Sequence, residues 1–212
     1  MMTSRRAAAA LLILTAAGIV GITVWLRRTT ATPERRPDSP AYPAGTAALL
    51  ERARTDFFAR RYEEAARGCR EALEQAPRLT AASLLLADVY AQTGRGVEGL
   101  SLALAAVDPQ GDPRDRAGLA RAFAAAGKKD EALRIGERLA RDPRAASDGA
   151  LAFDLGLIYA ALEMREPAFR WFEAAAAKRD PALNRLRVDP RLDALRGDPR
   201  YLALLAKLDL IK

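Results

Sequence analysis

The chain has 212 residues, of which 50% are hydrophobic, 29% charged and only 6% aromatic, enough for one folded domain and an appendage. It contains no His, which removes the commonest general base, metal ligand and triad base, and its one cysteine, Cys69, can form neither an internal disulfide nor a Cys-only zinc site. The net charge is +7, but Arg5, Arg6, Arg27, Arg28, Arg35 and Arg36 stand against Glu34 alone in the first 36 residues. The excess therefore flanks the amino-terminal segment and does not read as a nucleic-acid footprint.

Residues 1–6 form a basic tail. Residues 7–26, AAAALLILTAAGIVGITVWL, carry no charge and lie between Arg pairs. Twenty helical residues at about 1.5 Å each span the roughly 30 Å hydrocarbon core, and Trp25 falls where indoles favour the interface. A cleaved signal peptide would need a small-x-small site after the apolar core. Here the core runs into Trp25-Leu26-Arg27-Arg28, so the segment reads as an uncleaved signal anchor. Orientation is nearly balanced: the Arg count on the far flank favours a cytoplasmic body, whereas a short basic tail kept inside exports it. The exported side is the expectation. Residues 27–45 form a linker in which Pro33, Pro37, Pro40 and Pro43 block regular structure and hold the body off the bilayer.

Abundant Ala and Leu, with few β-branched residues beyond the first 25 positions, predict an all-α fold. One phrase recurs. Leu86-Ala87 precedes Tyr90 and Gly94, Leu119-Ala120 precedes Phe123 and Gly127, and Leu155-Gly156 precedes Tyr159. Ala53 begins an earlier copy, and the copies start 34, 33 and 36 residues apart. The second segment of each unit begins with its own small residue: Ala65, Gly99, Ala132 and Ala168. Leu, small and aromatic at these offsets share one helix face, the small residue admits a close neighbour, and the Gly ends the helix. Pro77, Pro109, Pro143 and Pro181 fall near the end of each second helix. One helix pair cannot bury its apolar face, so the units must stack.

These residues, with Tyr62-Glu63-Glu64-Ala65, Ala72-Leu73 and Pro77, resemble the tetratricopeptide repeat family over residues 46–182. The units are 46–79, 80–112, 113–148 and 149–182. The departures are Arg52 and Asp56 in unit one, Gly99 in unit two, and Glu163 and Pro167 in unit four. The resemblance implies an α-solenoid with a concave groove. Carried over residue by residue, the groove is lined by Arg54, Phe57, Phe58, Leu84, Asp88, Gln92, Arg114, Arg121, Phe153 and Leu157. Aromatics with Arg suit a protein or peptide segment, and any one of the Phe residues can equally be core. The carboxylate clamp of the family's chaperone-binding members is absent, since its Asn position holds Arg54, Asp88, Arg121 and Leu157.

Residues 183–212 contain Asp189-Pro190-Arg191 and Asp198-Pro199-Arg200. In each the Asp caps a helix start, and the last helix closes the stack. Cys69 falls at a packed position. The pairs Glu63-Glu64 and Asp130-Glu131 sit in first turns, where acids suit the helix dipole. No phosphate loop, HExxH or nucleophile elbow occurs. The expectation is a non-enzymatic scaffold without cofactor or metal, bound to a bacterial inner membrane through residues 7–26 and taking a protein partner for envelope assembly, secretion or biogenesis. The alternative is a self-assembling structural protein using Trp171 and the terminal helix. A basic nucleic-acid-binding module ranks below both.

Overall fold

The computed structural model describes residues 43–210, and the expected anchor and most of the linker lie outside them. Nine α-helices follow one another: α1 Ala44–Phe58, α2 Tyr62–Gln75, α3 Thr80–Gln92, α4 Gly96–Ala106, α5 Pro113–Ala125, α6 Lys129–Ala140, α7 Gly149–Ala161, α8 Arg165–Ala177 and α9 Pro199–Lys207. Short 3-10 turns occupy Pro143–Ala146, Pro181–Arg185 and Pro190–Leu195, and no strand occurs among the described residues. Within them no helix is long and apolar enough to cross a membrane.

The first eight helices pack as four pairs, α1 with α2 through α7 with α8, and the second helix of each pair also lies against the first helix of the next. The close approaches fall at the small residues picked out by the sequence. A Cβ on Gly68 would sit 3.1 Å from the Ala53 Cβ, and one on Gly99 would sit 3.0 Å from the Ala87 carbonyl oxygen. A Cβ on Gly156 would lie 2.4 Å from the Phe172 ring. Ala53, Ala65, Ala120, Ala132 and Ala168 are all fully buried.

The turn inside each pair is the same device four times over. Arg60, Gly94, Gly127 and Glu163 all take a positive φ, between 60° and 79°. The amide of the following residue reaches back to the carbonyl at the aromatic position: Arg61 to Asp56, Arg95 to Tyr90, Lys128 to Phe123 and Met164 to Tyr159. These are the long bonds of Schellman-type C-caps, which satisfy helix-end carbonyls. Glycine suits this conformation, whereas a side chain costs about 1–2 kcal/mol there. Glu163 and Arg60 bear that cost.

Arg52 and Asp56 stand where the next unit has Leu86 and Tyr90. Those two pack back onto α1 and α2 with Ala53, Phe57 and Cys69. The equivalent face of unit one is polar. Arg52 is exposed, and Asp56 is buried by a pairing with Arg61.

After α8 the chain does not leave the stack. Residues 181–196 run across the first helices of the pairs as a strap. Its Leu183, Leu186, Leu192 and Leu195 are each at most 1% exposed and join the core of α5–α8. Each such burial contributes about 2 kcal/mol. The terminal helix α9 lies against α8, and its buried Tyr201 donates a 2.6 Å hydrogen bond to the Leu186 carbonyl.

Two substitutions test this packing by chemical denaturation. Gly156→Ala is expected to lower stability by about 2 kcal/mol, because the Phe172 ring cannot yield. Glu163→Gly is expected to raise it by about 0.5–1 kcal/mol, because only backbone strain and an exposed pairing with Lys129 are lost.

Candidate inner-face site

The first helices α1, α3, α5 and α7 form the inner face of the pairs, and charge runs along it at one-unit spacing. Asp88 on α3, Arg121 on α5 and Asp154 on α7 follow each other at intervals of 33 residues. Arg121 donates from Nε and Nη2 to the two Asp88 oxygens at 3.3 and 3.2 Å, and its Nη1 lies 3.7 Å from Asp154. Arg114, about two helix turns earlier on α5, donates to Asp154 at 2.9 Å.

The strap completes this row. In the 3-10 turn Pro190–Leu195, Arg191 donates to Asp88 at 3.0 Å and to its own capping residue Asp189 at 2.6 and 2.9 Å. The Asp-Pro-Arg phrase explains the geometry. Asp189 accepts the Arg191 amide and so starts the turn, and the Pro fixes the first dihedral. The Arg side chain then chelates the same carboxylate and reaches past it to α3. Arg200 and Arg144 fold back onto Asp198 and Asp142 in the same way, which holds both of those carboxyls down to about 2. Near Arg191, Arg60 and Arg196 share Asp193, tying the turn after α1 to the strap.

Burial opposes the charge on Asp88, but Arg121 and Arg191 outweigh it and hold its carboxyl below the usual carboxylate range. Arg191 is likewise penalised by burial, yet Asp189 and Asp88 hold its proton more firmly than usual. A buried carboxylate shared by two guanidiniums fixes register more than it adds net stability, whereas removing one partner leaves unpaired buried charge.

The ten residues expected to line a groove fall into three groups. Phe57, Phe153 and Leu157 are buried core; Phe153 packs its ring 5.6 Å from Phe172. Leu84 is half-buried, filling the space above Gly118. Asp88, Arg121 and Arg114 belong to the ionic row. Arg54 and Phe58 are half-buried at the α1 end, where Arg185 of the strap stacks 5.1 Å over the Phe58 ring. Gln92 is half-buried at the end of α3. Asp154, Asp189 and Arg191 are equal members of the row that the unit register passes over. The 33-residue spacing from Asp88 through Arg121 was the signal for Asp154.

Elsewhere, Cys69 is fully buried, and burial pushes its thiol up to about 12, as packing requires and reactivity does not. Trp171 is half-buried against the core, and Leu202 is exposed on α9. No cluster of metal-ligating side chains occurs among the described residues.

Asp88→Asn is expected to cost about 2–4 kcal/mol in urea unfolding at neutral pH. The sign of the pH dependence follows from the lowered Asp88 value. Its stabilisation is complete above the unfolded carboxylate range, near pH 4, and is lost as pH falls through the folded value. The difference between wild type and Asp88→Asn should therefore shrink on acidification. No family model matches the chain, and no curated protein matches it.

Proposed function

We propose that the chain is a non-catalytic helical-repeat scaffold of the tetratricopeptide type, anchored to a membrane through residues 7–26. On this reading its inner face binds a partner segment in competition with its own strap. The observation that carries the reading is the seat of Arg191. An Asp-Pro-Arg-Leu segment in 3-10 conformation is held on the first helices by the Arg191–Asp88 pair and by the buried Pro190 and Leu192 that flank it.

A face that holds such a turn in cis is chemically suited to one in trans, since the same carboxylate and the same apolar cover serve either chain. The preferred partner then presents an Arg between apolar residues such as Pro and Leu, in an extended or 3-10 segment. The four turns repeating at 60, 94, 127 and 163, and the small residues at each helix crossing, support the solenoid assignment. The absence of His from the whole sequence supports a binding role over a catalytic one.

The test places a photoreactive residue at Gln92 or Arg114 on the inner face, and at exposed Arg138 on α6, in the full chain in native membranes. Adducts at the inner positions, lost on adding excess peptide of residues 187–198 and increased by Arg191→Ala, are the expected result. Adducts that form equally at Arg138, or that ignore the peptide, would overturn the reading.

A further inference from the structure

A second set of guanidiniums lies on the inner face beside the ionic row but outside it. Arg185 closes the 3-10 turn Pro181–Arg185, is half-buried, and stacks 5.1 Å above the Phe58 ring. Among the described residues it makes no hydrogen bond or ion pair. Arg54 lies one helical turn before Phe58 and shares its face of α1. Its Nε is shut off from solvent without a hydrogen bond and is held only by an ion pair at 3.5 Å to Glu51, a side chain 72% exposed.

Glu51 pairs with Arg54 from an exposed side chain, while the acids of the strap and Asp88 are committed elsewhere. Asp189 and Asp88 hold Arg191, and Asp193 holds Arg60 and Arg196. Burial lowers the hold of Arg185 on its proton, and the like charges of Arg54 and Arg191 lower it further. Asp189 and Glu51 act in the opposite sense without restoring it. Neighbouring half-buried guanidiniums repel each other, and an anion between them removes the repulsion. An oxyanion between them would gain charge-assisted bonds from two planar forks, one of them already oriented by its aromatic floor.

We propose that Arg54 and Arg185, with Phe58 beneath, form an oxyanion site that takes a carboxylate or phosphate group, either free or borne by a bound segment. The site joins a repeat helix to the strap, so its occupant would clamp the strap shut. It does not depend on a partner entering the Asp88 seat, and inorganic phosphate alone tests it.

Full-length chain in detergent micelles, labelled at Arg, is titrated at constant ionic strength with sodium phosphate in one arm and sodium acetate in the other. The arginine Nε–Hε resonances are followed. Saturable shifts at Arg54 and Arg185, with a midpoint on the order of millimolar, are expected, while Arg95, paired to Glu98 on α4, stays unmoved. Saturation in the phosphate arm alone assigns a phosphoryl ligand, and saturation in both assigns a carboxylate-tolerant site. Arg185→Gln should abolish saturation at Arg54. Without added anion, this variant should melt no lower than wild type, since a like-charge repulsion is gone. Shifts that rise linearly, or equally at Arg95, would overturn the site. So would an Arg185→Gln variant that melts several degrees lower, which would make Arg185 a packing residue on Phe58.

Discussion

Three of the four helix pairs meet where a residue with little or no side chain faces its neighbour's backbone or ring. Ala53 against Gly68, Ala87 against Gly99 and Gly156 against Phe172 are such crossings. Close approach there lets Leu86, Leu119 and Leu155 join cores shared with the neighbouring helices. Interiors pack at near-crystalline density, so one methyl group at a crossing is felt along the helix. The identical turns at Arg60, Gly94, Gly127 and Glu163 follow from the same constraint. A pair that must cross at a fixed point needs a connection of fixed geometry, even where the residue supplied is poorly suited to it.

The strap adds a second layer of specification. Its leucines supply apolar burial, but burial alone is non-directional and would tolerate sliding. Arg191 removes that freedom by binding Asp88 and Asp189 together, and Arg60 with Asp193 fixes the other end of the turn. A buried ionic group that contributes little net stability can still choose one register among several, and this is the role the row from Asp88 to Asp154 plays.

Much of this was legible from residue order. The helical class, the pairing, the small residues at crossings, and the glycine turns at Gly94 and Gly127 all follow from spacing. So do the Asp-Pro caps at Asp189 and Asp198. Other features were hidden for physical reasons. Nothing in a glutamate or an arginine announces positive φ, so Glu163 reads as a departure and Arg60 passes unremarked when both make the same turn. Aligning unit four on Gly156 placed Leu157 opposite Asp88 and Arg121, yet the ionic role had moved one helical turn back to Asp154. The strap was read as caps because capping is a local signal. That Arg191 would reach 103 residues back to Asp88 is a tertiary outcome that no local pattern encodes.

That separation has a consequence during synthesis. The inner face is fully formed once α7 and α8 have folded, but its cover follows them in the chain. At roughly 5–20 residues per second, the 103 residues between Asp88 and Arg191 take about 5–20 s to be translated. For that interval Asp88 and Arg121 stand without the strap, and anything near the nascent chain that carries a suitable guanidinium meets a vacant seat before the protein's own arginine arrives.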